Sequence, residues 1–557
     1  MKKIVRILAL TLVSAMMISL VACGKETEET KKKKKKKKTE KTTTEETTTE
    51  DTEPSESTEE TTTTEETTET SAVSGNPDFQ APAAGCKIDF PTRDLYHYDM
   101  DLTLNEEDHT VGGHVVFQFY NDSEDDWEQL CMRDYSSLFV DAETAGYDGA
   151  IETNGALTEI TNIKNETSGK DMKYTRDDDV SVIWLDLDTP LAPGEQMTLS
   201  YDFVATVPTV ADRYGLENGV YNVTNFYPIL AEYVDGDWSH AAFYNMGECF
   251  YSEVSDYNVR LTVPSGYVVA STGTEKTVDD NGDTQTYTYE APCVRDFVFS
   301  ASADFVLETS TFDGVCVNVL YNGTNPPASD MTPSVEKTFE AARDALAAFK
   351  EAFGEYPYPE LDVILAPIDA GGMEYPNLII ITDIYCTKSY SYADYEILRE
   401  CVAHEIGHQW FMGIVGSNSG MQPWQDESIT SYTEFVYYEY IGDLDFVDGY
   451  SRNSFDLSDP TNAAQLQQIQ YFPLNKSYYD FPDDDTYTSA VYMFGKAVLF
   501  QMEEILGREE FHAVLREYVH RNAFTNADPM SFFDVLYEYA GTDNAELNAL
   551  IEAAFVI

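Results

Sequence analysis

Near residue 307 of this 557-residue chain the spacing of apolar residues changes from two to between three and four. The change commits the chain to a strand-rich part followed by a helix-rich one. Before it, Tyr96, Tyr98, Met100, Leu102 and Leu104 alternate with polar residues, as do Val115, Phe117 and Phe119, then Tyr257, Val259, Leu261 and Val263. Alternation puts one face of each strand in a core, and turn-forming runs at 105–113 and 264–266 interrupt it. Residues 86–306 are expected to form an all-β domain. After the change, Thr332-Pro333 reads as an N-cap and first helical position. Val335, Phe339, Ala342, Leu346, Phe349 and Phe353 then mark one helix face, and Gly354 ends it. Strands are expected at 363–365 and 378–381, and helices at roughly 391–412, 426–441, 487–506, 509–521 and 530–540. Residues 307–557 thus read as a mixed α/β domain whose second part is nearly all helix.

The N-terminus is a targeting segment. Lys2, Lys3 and Arg6 precede an apolar run over residues 7–21, which ends in Leu20-Val21-Ala22-Cys23. This resembles a bacterial lipoprotein signal over 1–23 with Cys23 lipidated; the other reading is an ordinary secretory signal with a stray cysteine. Residues 24–85 form a tether. Lys31 to Lys38 would add attraction to an anionic membrane surface. The Thr/Glu-rich stretch that follows has no aromatic residue and is expected to be disordered. The expected location is the extracellular face of a bacterial cytoplasmic membrane, of Gram-positive type.

The formal net charge is −64. Of 35 basic and 99 acidic side chains, residues 1–72 hold 13 and 15, so the acidity belongs to the folded part. Such a surface repels nucleic acid and excludes it as a partner. Besides Cys23 there are seven cysteines without a C-x-x-C pair, and the odd count leaves at least one unpaired within a monomer.

One stretch carries chemistry. His404-Glu405-Ile406-Gly407-His408 places two imidazoles on one helical face, and Glu427 follows in Trp424-Gln425-Asp426-Glu427-Ser428. Two histidines and a carboxylate form a zinc set that leaves a fourth position open, and Glu405 is placed to take a proton from water. The helix is expected to end near Met412, with 413–425 a loop that returns Glu427 to the site. Glu434 is either an acceptor for a ligand histidine or a solvated helix charge. Cys401 shares the histidine face and reads as packing rather than as a fourth ligand, and Trp410 and Trp424 read as core.

These motifs resemble the zinc aminopeptidase family that includes aminopeptidase N. The resemblance rests on His404-Glu405-Ile406-Gly407-His408-Gln409-Trp410-Phe411, the interval to Glu427, and two further motifs. Gly371-Gly372-Met373-Glu374-Tyr375 is similar to the family's Gly-Ala-Met-Glu-Asn, and Tyr492-Met493-Phe494-Gly495-Lys496 is similar to the helix that opens with its catalytic tyrosine. The resemblance spans about residues 90–550. It implies a saddle-like β domain packed on a thermolysin-like catalytic domain with a small mixed sheet, and one zinc ion held by His404, His408 and Glu427. It further implies Glu405 as general base, Tyr492 as oxyanion donor, and Glu374 with Gly371, Gly372 and Met373 as the site for a peptide's free amino end.

The chain departs from the family at Tyr375, at Ser428 (a glycine in the family) and in reading Met412-Gly413 after Phe411. A β-domain partner for the amine is not evident; Glu232 is a weak candidate, and Tyr487 is either a substrate contact or core. The expected function is a membrane-tethered extracellular zinc aminopeptidase. A same-fold zinc endopeptidase or other hydrolase, or a weakly active peptide-binding surface lipoprotein, are the alternatives.

Overall fold

The strand Tyr96–Asn105 buries alternate side chains, with Tyr98, Met100, Leu102 and Leu104 at 3% exposure or less. It lies inside an eight-stranded sheet, parallel to Ser255–Pro264 and antiparallel to Thr110–Tyr120. Tyr98 stacks on Phe117 and on Tyr257 across these pairings, at centroid separations of 4.1 and 4.8 Å. The alternation seen in the sequence is therefore a layer of aromatic cross-strand contacts. In this computed structural model the described residues are 82–147, 151, 153, 155, 157–243, 247–387, 395–443 and 473–556. The signal over 1–23, Cys23, Lys31 to Lys38 and the Thr/Glu-rich tract lie outside them. Among the described residues no helix is long and apolar enough to cross a membrane.

A second sheet carries the chemistry. Its strand order is Phe305–Phe312, Val315–Asn322, Glu360–Ala366, Leu378–Thr382 and Gly372–Met373. The three inner strands run parallel, and both edges are antiparallel. Leu361, Val363 to Ala366 and Leu378 to Ile381 are at 1% exposure or less, as strands covered on both faces require. The first strand of this sheet begins at Phe305, so a division at 306/307 falls within it.

Helix α1 (Thr332–Phe353) starts one residue earlier than expected, with Met331 at the N-cap and Thr332 already helical. Gly354 ends it at φ 117°, its N–H bonded to Lys350 O. Helices α2 (Glu396–Gly407), α3 (Ile429–Tyr440), α4 (Asp484–Thr488), α5 (Gly495–Leu506), α6 (Arg508–Asn522), α7 (Pro529–Ala540) and α8 (Ala545–Ala554) follow.

Three parts of the sequence reading are corrected. The motif helix is α-helical only to Gly407; residues Gln409–Ile414 form a π turn that loses helical geometry at Phe411 and Met412. The stretch 413–425 is not all loop, since Val415–Gly416 pairs in parallel with Thr525–Asn526. Helix α8 was not expected, because its apolar spacing is short and lacks a terminal glycine.

Residues 86–306 and 307–557 belong to one compact unit. Arg295, from the β-rich region, is a principal tie between them. Its Nε donates to Met412 O at 2.6 Å, its Nη2 to Thr525 O at 2.7 Å and its Nη1 to Asn526 Oδ1 at 2.5 Å. Gly416 admits it: a Cβ there would lie 2.1 Å from the guanidinium carbon.

Candidate active site

Helix α2 ends on the motif. His404 and Glu405 lie in its last turn and His408 caps it, which stacks the two imidazoles edge to face at 4.9 Å. Glu427 comes from a second π turn, Trp424–Ser428, which runs directly into α3. Its Oε2 stands 3.4 Å from Nε2 of His404 and 3.3 Å from Nε2 of His408. The Nδ1 atoms face away from that point. His404 Nδ1 pairs with Glu434 Oε1 at 2.8 Å, and His408 Nδ1 with Asp426 Oδ1 at 2.8 Å. Glu434 is thus the acceptor for a ligand histidine and not a solvated charge; its other oxygen takes Lys496 Nζ at 2.7 Å.

Burial and charge act against each other here. Burial lowers the basicity of His404, but bonds to Glu427 and Glu434 outweigh it and raise its pKa to about 10. Burial raises Glu434, yet Lys496 and His404 bring it to about 2. Burial lifts Glu405 to about 7 against the pull of both imidazoles. The field at the centre is one that gathers positive charge.

That centre suits a zinc ion. Ligand atoms about 2.0–2.1 Å from a common tetrahedral centre stand about 3.3–3.4 Å apart, which the His404, His408 and Glu427 atoms match. Glu427 Oε2 is buried and has no hydrogen-bond donor besides. His404 has a carboxylate hydrogen-bonded to its far nitrogen, the arrangement that fixes tautomer and raises ligand basicity, while the far nitrogen of His408 faces Asp426 and lies 3.1 Å from Thr430 Oγ1.

The remaining candidates surround this centre. Gly372–Met373 forms the edge strand beside it, and a Cβ on Gly372 would lie 2.2 Å from Glu405 Oε1. The backbone therefore passes directly against the carboxylate of Glu405. Gly371 accepts from Thr382 N at 3.0 Å, which pins the start of that strand. Glu374 is 6% exposed and offers an oxygen within 4.8 Å of ligand atoms of Glu405 and His408. Burial, then Glu248, raises its pKa. Tyr492 stacks on His404 at 6.2 Å, and burial and the nearby Glu427 keep its phenol protonated. Cys401 Sγ lies 3.9 Å from Glu405 Oε1 and is not grouped with the His404, His408 and Glu427 ligand atoms. Trp410 and Trp424 are fully buried, and Tyr487 packs against Tyr478, Phe481 and Tyr492.

Residues 337–553 match the family model described as Peptidase family M1 domain. The chain carries an M1 peptidase domain. Among curated relatives, parts of the chain are similar to aminopeptidase M1-B of Oryza sativa, 24% identical over 66% of this chain and 41% of that protein. They are similar also to leucine aminopeptidase 2 of Saccharomyces cerevisiae, 30% identical over 37% of this chain and 29% of that protein. The chain spans less than half the length of these relatives. In fold it is similar to the M1 zinc metallopeptidase of Deinococcus radiodurans, with TM-score 0.55 and 16% identity over 83% of this chain and 94% of that one. A mutant of that enzyme bound to a Tyr-Ser-Ala substrate gives TM-score 0.55 at 16% identity, over 83% of this chain and 94% of that one. An M1 domain of this kind implies a zinc cofactor, and the ligand geometry above fits it.

The structure also supplies what the sequence concealed. Glu248, from the β-rich region, lines the same cavity as Glu374 and is clamped by Arg213 through both oxygens, at 2.7 and 2.8 Å. Glu232, the candidate offered by the sequence, has its Oε1 engaged by Asn526 at 2.8 Å. No motif marks Glu248; only its place in the fold does. Asp426 was visible as the residue before Glu427, but nothing in its spacing assigned it to His408. The departure at Tyr375 is explained too: its hydroxyl reaches Thr224 and Asn225 at 2.9 and 3.0 Å, while Gln409 Nε2 holds its carbonyl at 3.1 Å.

Proposed function

We propose that this chain is a zinc aminopeptidase that removes residues from the free amino end of peptides. The observation that carries the proposal is the placement of Glu374 within 4.8 Å of Glu405 and His408 ligand atoms. A carboxylate so close to the reaction centre suits an ammonium one residue away from the scissile carbonyl. Glu248, clamped by Arg213, adds a second carboxylate toward the same cation. When bound, zinc supplies Lewis acidity to the carbonyl and to a water molecule. Glu405 takes a proton from that water and returns it to the leaving amine, a task suited to a carboxyl raised to about 7. Tyr492 keeps its proton and donates a hydrogen bond to the developing oxyanion, where a donor is worth most.

The test compares fluorogenic aminoacyl amides with matched N-acetylated peptides, with and without a chelator. Free-amine substrates should be cleaved and acetylated ones refused, with all turnover lost on chelation. Equal cleavage of both sets would point to a same-fold endopeptidase instead.

We further propose that Cys23 is lipidated and that Lys31 to Lys38 reinforce membrane attachment on the extracellular face. Support comes from the basic, apolar and cysteine-terminated order of residues 2–23. Cys23→Ala should move the protein from the detergent phase to the aqueous phase; unchanged partitioning removes the anchor.

A further inference from the structure

Ser428 directly follows the third zinc ligand, and its side chain reaches a different helix. Its Oγ donates to Val491 O at 2.6 Å, one residue before Tyr492. Both ends of this bond lie in irregular turns: Ser428 closes the π turn Trp424–Ser428, and Val491 lies in the π turn Ser489–Phe494. In the second turn the Gly495 N–H reaches Ala490 O, five residues back. An α-helix would have directed that N–H to Val491 O. The register shift thus releases the carbonyl that Ser428 takes. Gly495 makes the room, since a Cβ there would lie 1.9 Å from Ser428 Oγ. Ser428 is fully buried, so water does not compete for the bond.

We infer that Ser428 is a positioning residue that sets Tyr492 relative to Glu427; the inference rests on the proposed role of Tyr492 as oxyanion donor. Contacts with His404 at 6.2 Å and Tyr487 at 6.0 Å hold the tyrosine ring from two sides. The Ser428 bond holds the backbone beneath it. An oxyanion donor works over about 2.7–3.1 Å, so a shift of the turn of a fraction of an ångström moves the phenol out of range. This couples the ligand turn and the donor turn at the one position where the chain has serine in place of the family's glycine.

The experiment is a double-mutant cycle on the zinc-loaded full chain. Ser428→Ala should lower kcat about tenfold and change KM by less than about twofold, as a misplaced catalytic group does. Binding of a phosphinic peptide, measured by calorimetry, should weaken by the same factor, and zinc affinity by chelator competition should not change. In a Tyr492→Phe background Ser428→Ala should cost nothing further. An equal loss in that background overturns the inference and leaves the role of Tyr492 intact. Full kcat in Tyr492→Phe overturns that role itself. Gly495→Ala strikes the same contact from the other side and should reproduce the kcat loss; full activity in that variant, or in zinc-replete Ser428→Ala, also overturns the inference.

Discussion

Lys496 Nζ lies 2.7 Å from Glu434 Oε2, and the carboxylate it holds meets His404 Nδ1 through its other oxygen at 2.8 Å. A buried cation thus keeps ionised the group that orients a zinc ligand. The pair is buried on both sides, so removing Lys496 leaves an uncompensated carboxylate. Lys496→Met is expected to weaken zinc binding about 10- to 100-fold, the usual cost of losing an outer partner of a ligand histidine. Chelator competition measures it, and Lys496→Arg should recover part of the loss.

Glu405→Gln keeps the shape of the side chain and removes its ability to accept a proton. Turnover should fall to background while zinc content by metal analysis stays at one per chain. Near-normal kcat in a metal-loaded sample would remove Glu405 from its role as base.

Tyr492→Phe deletes one donor to the oxyanion and should lower kcat by about 10²–10³-fold with KM little altered. Steady-state kinetics on an aminoacyl amide decide it, and an effect confined to KM would reject the assignment.

Glu248→Gln should raise KM for free-amine substrates about tenfold and narrow the preference over acetylated ones, since a charge facing the ammonium is lost. Glu374→Gln should do so more strongly. If Glu248→Gln leaves KM unchanged, Glu374 alone carries the amine.

The strand Glu360–Ala366 holds a titrating group remote from the zinc centre. Burial and the neighbouring Glu360 push the Asp362 carboxyl up to about 8, although Asn318 Nδ2 and Ser271 N donate to it. A carboxyl raised in the folded state binds its proton more tightly there than in the unfolded chain. Its contribution to stability is therefore present below the unfolded pKa and declines as pH rises from about 4 to about 8, by up to ~1.4 kcal/mol per pH unit. Denaturant titrations across that window should show a shallower decline for Asp362→Asn than for the parent.

Much of this was legible in the residues. Alternation at Tyr96 to Leu104 announced a strand because one face of it packs aromatic rings; His404, His408 and Glu427 announced a centre because their spacing is that of a helix and its return. What was hidden has a common cause. Glu248 lines one cavity with Glu374 across more than a hundred residues, and Val415–Gly416 pairs with Thr525–Asn526 across a similar distance. Local periodicity carries no trace of such partners. The π turns at Gln409–Ile414, Trp424–Ser428 and Ser489–Phe494 were hidden for another reason: one extra residue in a turn leaves the apolar pattern almost unaltered.

Arg295 gives the tie between the β-rich region and the M1 domain a practical meaning. The family match begins at residue 337, yet the guanidinium that fastens Met412, Thr525 and Asn526 is contributed from outside that segment. A fragment cut at the match would keep every ligand for the metal and lose the clasp on the turn that runs between them. The part that names the family is thus not a transplantable module: the hydrolytic centre and its β-rich neighbour have to be inherited, expressed and engineered together.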